Sequence, residues 1–255
     1  MRIIGVMRLC NEFVEEIDLT VGTLAAFCDG VCFLMDHVTH PSVLSAVKRC
    51  RNLLGTEEYT EESWNHYHSS DQAYRLADKF KPDWVVMQDQ DELLPFSHLR
   101  QGLEAISDTG NNTLVLPVIH CWGTPFRIVW PRLNRTGDHG KAYRGSNPDF
   151  AIAGGPGFCL PINAKTFFWS FPYRHLGFMT EECRARRLNV PVNRTRIEEW
   201  GKSEPPLFPY RDDWTIDEWN KLEVNLDEES KVDIRSDNSS EPSQGSSSGD
   251  LEVTG

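Results

Sequence analysis

The fold is decided by one stretch of the sequence, Trp84-Val85-Val86-Met87-Gln88-Asp89-Gln90-Asp91-Glu92. Its first four residues form a short apolar run, which is typical of a strand buried on both faces. Two carboxylates, Asp89 and Asp91, follow one residue apart. Their mutual repulsion is costly without a cation, and a divalent ion with oxygen ligands removes that cost. The stretch therefore predicts a buried strand that ends in a site for Mg²⁺ or Mn²⁺ and, through the ion, for phosphate oxygens.

The segments before this stretch alternate between strand-like and helix-like patterns. We predict strands over 2–9, 31–35 and 84–87, and helices over 13–27, 43–54 and 71–80. Such an order with short connections predicts an α/β domain in which helices flank a central, mostly parallel sheet. Asp36 directly follows the second strand. We therefore expect Asp36, Asp89 and Asp91 to meet at the carboxyl ends of the strands, where open α/β sheets bind their ligands.

The pattern after residue 95 is less regular. We predict a strand over Leu114–Ile119, a tight turn over Ala153–Gly157 and a polar helix over Thr180–Leu188. No domain break is evident before residue 222, so residues 1–222 are predicted to form a single domain. Residues 223–255 contain eight Ser, nine acidic and two basic residues. Such a segment buries too little apolar surface to fold, which predicts a disordered acidic tail or, alternatively, a segment that docks on a partner.

Length, composition and charge argue against a membrane-spanning protein and against a nucleic-acid-binding protein. The chain has 255 residues, of which 39% are hydrophobic and 25% charged, as is usual for a globular protein. No apolar run approaches the ~20 residues that span a bilayer, and the apolar N-terminal stretch is too short for a signal peptide. We therefore expect a soluble, cytoplasmic protein with no transmembrane segment. The net charge of −12 disfavours a nucleic-acid partner. The seven Cys include no C-x-x-C pair, so free thiols are expected.

Across about residues 2–200, the chain resembles the family 2-type glycosyltransferases of the GT-A fold, which contain a D-x-D motif. Four features carry the resemblance: the first strand with Asn11-Glu12, the strand that ends at Asp36, the D-x-D-E of Asp89–Glu92 and the late segment His175–Arg187. The late segment has Glu181-Glu182 where many members have Glu-Asp. The resemblance implies a GT-A-like single domain.

The resemblance also implies an activity and a set of site residues. The activity is the metal-dependent transfer of a sugar from a nucleotide-sugar, a UDP-sugar above all, to a hydroxyl group of a glycan or small-molecule acceptor. The course it implies is inversion, with a carboxylate as general base. The implied roles are nucleoside contact for Asp36 and Asp89, Mn²⁺ or Mg²⁺ binding for Asp91, Asp89 and His175, general base for Glu181 or Glu182, and neutralisation of the leaving diphosphate for Arg184 and Arg187.

Two other functions fit the same motif. A metal-dependent phosphotransferase or phosphatase would use Asp89 as its nucleophile, although such enzymes usually carry the motif near the N-terminus. A non-catalytic module would bind a nucleotide-sugar on the same scaffold and use the acidic tail for a partner. Trapping an aspartyl-phosphate on Asp89 would favour the first, whereas sugar transfer or donor hydrolysis would exclude the second.

Overall fold

The computed structural model describes residues 1–61, 65–129, 139–147, 150–153, 160–177, 181–187 and 207–219. The helices are α1 (Ile17–Phe27), α2 (Pro41–Arg49), α3 (His66–Asp78), α4 (Phe96–Ser107) and α5 (Glu181–Arg187). The strands are β1 (Ile3–Leu9), β2 (Gly30–Met35), β3 (Leu53–Glu58), β4 (Trp84–Asp89), β5 (Glu92–Leu93), β6 (Thr113–Leu116), β7 (Val118–Trp122), β8 (Thr124–Val129), β9 (His139–Arg144), β10 (Ile152–Ala153), β11 (Leu160–Pro161), β12 (Thr166–Phe168), β13 (Tyr173–His175) and β14 (Leu207–Pro209). The predicted tail, 223–255, and residues 154–157 of the predicted tight turn lie outside the described residues.

A seven-stranded central sheet has the strand order β12-β6-β9-β4-β1-β2-β3. The four strands from β3 to β4 run parallel to one another. β9 lies antiparallel between β4 and β6, and β12 runs parallel to β6. The prediction of an α/β fold with a mostly parallel central sheet is therefore confirmed.

Helices cover both faces of this sheet, which explains why its inner strands are apolar along their whole length. All seven residues of β1 are buried. Buried side chains of α1, α2 and α4 pack on one face, and those of α3 pack on the other. α1 approaches β1 so closely that a Cβ atom at Gly5 would lie 2.9 Å from Leu24 and Cys28. Parallel strands between two helical layers need this continuous apolar pattern.

A smaller sheet, of order β14-β8-β7-β13-β5, adjoins the carboxyl end of β4. Its strand β13 pairs with β5 on one side and with β7 on the other, so that His175 lies opposite both Glu92 and His120. β5 begins three residues after β4 ends. The smaller sheet therefore brings β13 beside the D-x-D turn.

Several predicted elements have different bounds in the structure. The predicted strand 114–119 is two strands, β6 and β7, which belong to different sheets and are separated by Pro117. The predicted helix 43–54 ends at Arg49, and its last residues belong to the edge strand β3. α1 begins at Ile17 rather than at residue 13, because Phe13 has a positive φ of 53°. The predicted polar helix 180–188 is confirmed as α5.

None of the helices in the described ranges is both long enough and apolar enough to cross a membrane. The six cysteines at described positions are all free thiols, in agreement with the expectation.

Candidate functional site

The three predicted carboxylates lie along one cavity at the carboxyl ends of β1, β2 and β4. Asp36 follows the last residue of β2, Asp89 ends β4, and Asp91 lies in the turn between β4 and β5. The cavity measures about 520 Å³ and is also lined by the loop after β1. This volume lies in the range of sites for small molecules and cofactors. The alternation of strands and helices in the sequence predicts that these carboxylates share one edge of the sheet. In the structure they do, and this edge forms a cavity.

Asn11, the first residue of the Asn-Glu pair after β1, forms hydrogen bonds to the loop that follows β2. The side-chain oxygen of Asn11 accepts hydrogen bonds from the backbone amides of Thr39 and His40, at 2.8 and 2.9 Å. Its amide nitrogen donates to the carbonyl of His37 at 3.0 Å. Asn11 thus holds the loop that follows Asp36, and so helps to fix the position of that carboxylate.

Gln90, the middle residue of the D-x-D, ties the turn to the loop after β1. Its side-chain oxygen accepts from the amide of Cys10 at 2.8 Å, and its nitrogen donates to the carbonyl of Glu12 at 2.6 Å. Gln90 is buried. The Asp89–Asp91 turn and the loop at 10–13 therefore form one connected wall of the cavity.

Asp89 is held by Arg8, a residue that the sequence analysis did not single out. Arg8 lies opposite Asp89 in the β1–β4 pairing, and its Nε and Nη2 donate to the two carboxylate oxygens at 2.6 Å each. Its Nη1 donates to the hydroxyls of Ser70 and Ser69 on α3, at 2.7 and 3.1 Å. Burial alone raises the pKa of Asp89, but Arg8 and Lys141 outweigh it and hold that pKa well below its usual range. Asp89 is therefore ionised and oriented by this pairing.

Asp91 lies against His175. The Asp91 Oδ2 and His175 Nε2 atoms are 3.4 Å apart, and both side chains are largely buried. The Nδ1 atom of His175 lies 3.0 Å from that of His120, whose ring meets it edge to face. His120 and His175 are 55 residues apart in the chain, so no spacing motif in the sequence connects them.

Asp91 and His175 lie close enough together that both could bind one divalent ion. Two neighbouring ligands of an octahedral ion with bonds of about 2.1 Å lie about 3 Å apart. Within the described ranges, no group of three His, Cys, Asp or Glu side chains is arranged to hold a metal. An ion at Asp91 and His175 would therefore need further ligands from water or from a bound phosphate, which is common for Mg²⁺ sites.

Glu92, which completes the D-x-D-E, pairs with Lys141 on β9. The Lys141 Nζ atom lies 2.7 and 2.6 Å from the two carboxylate oxygens, and both side chains are buried. Burial raises the pKa of Glu92, although the Lys141 ammonium opposes the shift. β9 has the sequence HGKAYR, which is not an apolar run, and Lys141 lies 49 residues from Glu92, so no local pattern in the sequence identifies this pair.

α5 carries the residues proposed for the acceptor side. Glu181 and Glu182 form its first turn and are exposed. The next residue, Cys183, is buried and lines a small cavity together with Asp91. The guanidinium of Arg184 lies 4.3 Å from the centre of the Trp122 ring. Arg187 ends α5, but its side chain is outside the described residues. α5 thus borders the D-x-D turn.

His66 also lines the main cavity. It is the first residue of α3, and Asn65 caps the helix by accepting from the amides of Tyr67 and His68. Burial and the nearby Arg8 lower the pKa of His66 to about 4. His66 is therefore neutral near pH 7.

A second cavity, of about 660 Å³, lies between α1 and α2. It is lined by small residues such as Gly22, Ala25 and Ala46, together with Arg49 and Asn52. Asn52 bonds to the first residues of β2, so this cavity is at the opposite edge of the sheet. The carboxylates of the D-x-D turn are all at the other edge, which makes the 520 Å³ cavity the candidate site.

No family model and no curated protein matches this chain. Among solved structures, it is similar to S. aureus TarS 1–349 in complex with UDP-GlcNAc, with a TM-score of 0.50 and 14% identity over 72% of this chain and 60% of that one. It is also similar to 4-diphosphocytidyl-2C-methyl-D-erythritol synthase from Anaerococcus prevotii (TM-score 0.39, 9% identity, 56% of this chain and 70% of that one). A third structure is glucosyl-3-phosphoglycerate synthase from Mycobacterium tuberculosis in complex with Mn²⁺, UDP and glucosyl-3-phosphoglycerate (TM-score 0.36, 14% identity, 48% of this chain and 45% of that one).

The likeness to TarS concerns the fold. The chain spans 60% of the TarS segment, and the identity is too low to carry a substrate across. The strand order, the two sheets and this likeness lead to the same architecture. The protein has a GT-A-like fold, with a carboxylate-lined cavity at the carboxyl ends of its parallel strands.

Proposed function

We propose that this protein is a glycosyltransferase that moves a sugar from a nucleotide-sugar, a UDP-sugar in the first instance, to a hydroxyl group of an acceptor. The proposal includes dependence on Mn²⁺ or Mg²⁺. The observation that carries it is the meeting of Asp36, Asp89 and Asp91 in one cavity of about 520 Å³. The GT-A-like fold supports it, because nucleotide ligands of open α/β sheets bind at this edge.

Each carboxylate would have a separate task in the donor site. Asp36, which follows β2, would contact the nucleoside. Asp89 is held by Arg8 and keeps one wall of the cavity rigid. Asp91 and His175 would hold the ion, whose positive charge stabilises the diphosphate as it leaves.

The acceptor would be activated from α5. Glu181 or Glu182 would take the proton of the attacking hydroxyl, a task that supplies about 10²- to 10⁴-fold in rate. Their position on the helix that borders Asp91 through Cys183 supports this assignment. A direct attack with a carboxylate base gives inversion at the anomeric carbon. Arg184 and Arg187 of the same helix would balance the charge of the diphosphate.

The phosphotransferase alternative needs Asp89 as a nucleophile. In the structure both of its oxygens accept hydrogen bonds from a buried guanidinium. Such contacts stabilise the charge of a carboxylate and lower its nucleophilicity. The Arg8–Asp89 pair therefore favours the transferase.

Release of nucleoside diphosphate from a panel of nucleotide-sugars, with and without Mn²⁺, tests the proposal. We expect metal-dependent release from one donor, with water taking the place of the acceptor hydroxyl. Asp91→Asn should abolish it, whereas Asp108→Asn, an exposed residue at the end of α4, should leave it unchanged. Release that is independent of metal or insensitive to Asp91→Asn contradicts the proposed site.

A further inference from the structure

Three carboxylates, Asp89, Asp91 and Glu92, are crowded into four residues at the end of β4. Buried like charges repel one another, so each needs a cationic partner or a ligand. Asp89 has Arg8, and Asp91 lies against His175. Glu92 is the most deeply buried of the three and does not line the 520 Å³ cavity. Its partner, Lys141, therefore contacts the D-x-D-E segment from the protein interior and not from the cavity.

Glu92 connects the turn to its surroundings at three points. Its Oε2 atom accepts from the amide of Asp89 at 2.9 Å, which fixes the start of the turn. Its carbonyl accepts from the side chain of Gln88 at 2.9 Å. In the smaller sheet, Glu92 lies opposite His175, and the amide of Leu176 donates to the carbonyl of Asp91 at 2.7 Å. A displacement of Glu92 would therefore change the separation of Asp91 and His175.

Lys141 joins Glu92 to the strand that carries His175. It lies on β9, where its neighbour Ala142 pairs with Val86 of β4. Its Nζ atom is 4.5 Å from the centre of the Tyr173 ring, which precedes His175 by two residues on β13. The Tyr173 hydroxyl in turn lies 2.8 Å from His139 Nδ1 on β9. Lys141 thus contacts Glu92 of β5 and Tyr173 of β13, two strands that pair with each other.

We propose that Lys141 is a positioning residue for the ion and diphosphate part of the site. By holding both oxygens of Glu92 and packing on Tyr173, it fixes the D-x-D turn against β13 and so sets the distance between Asp91 and His175. That the distance between Asp91 and His175 matters for catalysis rests on the function proposed above. The positioning itself is a property of the unliganded protein and can be measured without any substrate.

The test uses Lys141→Met/Glu92→Gln, which removes both charges at once. Removing Lys141 alone would leave a buried, unpaired carboxylate and could unfold the protein, whereas the double variant avoids that cost. The matched control is Lys79→Met/Glu57→Gln, the same two substitutions in a pair at the surface. All proteins are the full chain, and their folding is checked by thermal unfolding.

The first readout is the imidazole resonances of His175 and His120 in NMR spectra of the unliganded proteins. We expect the double variant at 141 and 92 to fold but to shift both resonances, with the control variant matching the natural chain. Unchanged resonances in a folded double variant would overturn the positioning role. This result is informative whether or not the protein binds nucleotides.

The second readout is the Kd for UDP in the presence of Mn²⁺, measured below the unfolding temperature of every variant. Loss of a residue that orients a metal ligand typically costs about 10- to 100-fold in metal affinity, and we expect a weakening of that size. A Kd equal to that of the natural chain would contradict the role of Lys141 in the site. If the natural chain itself binds no nucleotide, the proposed function fails, and the NMR result still decides whether Lys141 positions His175.

Discussion

At the residue scale, the site depends on two buried cations, Arg8 and Lys141, as much as on its carboxylates. Both lie within strands, and each contacts both oxygens of one acidic side chain. The carboxylates could be predicted because their motif is contiguous in the sequence. The cations could not be paired with them, because strand register places Arg8 and Asp89 together across 81 residues.

We predict that Arg8→Met lowers the free energy of unfolding by about 3 kcal/mol at pH 7, since it leaves Asp89, whose side chain is 27% exposed, without its guanidinium partner. Urea unfolding measures this loss. Arg8→Met/Asp89→Asn should recover part of it, because the uncompensated charge is then gone. Equal losses in the single and double variants would show that packing, rather than charge, accounts for the effect.

The Arg8–Asp89 pair also predicts that the free energy of unfolding depends on pH. The pKa of Asp89 is lower in the folded protein than its ordinary value of 3.8. The unfolded chain therefore takes up this proton first, and the stabilisation is present above pH 3.8 and is lost as the pH falls below it. Comparing urea midpoints at pH 5 and pH 3 should show a smaller fall for Arg8→Met/Asp89→Asn than for the natural chain. Equal falls would contradict the assignment to Asp89.

The lowered pKa of His66 predicts a second pH range in which the folded protein loses stability. Its pKa is about 4 when folded and 6.5 ordinarily, because burial and Arg8 disfavour the imidazolium. The unfolded chain binds the proton more readily, so stability falls as the pH drops from 6.5 towards 4. His66→Asn should reduce the change in urea midpoint between pH 7 and pH 5, and His68→Asn, on the exposed side of α3, serves as its control. Identical pH dependence in His66→Asn and the natural chain would contradict this origin.

At the scale of elements, the cavity is formed by loops that side chains tie together. Asn11 bridges the loops after β1 and β2, and Gln90 bridges those after β1 and β4. The buried strands β1, β2 and β4 could be predicted from their apolar runs. β3 could not, because an edge strand needs little apolar surface: three of the six residues of Leu53–Glu58 are exposed and the other three are partly buried.

We predict that Gln90→Ala lowers the free energy of unfolding by about 1 kcal/mol, because it removes hydrogen bonds to partly buried backbone groups of Cys10 and Glu12. The Cys10 amide, which donates to Gln90, should also exchange its hydrogen faster. Gln101→Ala, at an exposed position on α4, is the control. Unchanged exchange at Cys10 would mean that the two loops are held together by other contacts.

At the scale of the whole molecule, the candidate site lies where the two sheets meet. The central sheet contributes Asp36 and Asp89, and the smaller sheet contributes His175. The alternation of patterns in the sequence predicts the strands β1, β2 and β4 and the helices between them, but not the antiparallel strand β9. The smaller sheet could not be predicted in the same way, because its strands come from distant parts of the chain and are only two to six residues long.

Thermal unfolding with UDP and UDP-sugars, with and without Mn²⁺, tests the central claim most directly. It is made on the natural chain and on Asp91→Asn. A ligand that binds only the folded protein adds about 2.7 kcal/mol at 100 times its Kd. We predict stabilisation of the natural chain by at least one of these ligands, only when Mn²⁺ is present, and none in Asp91→Asn. No stabilisation of the natural chain, or the same stabilisation in Asp91→Asn, would contradict a donor site built on Asp91.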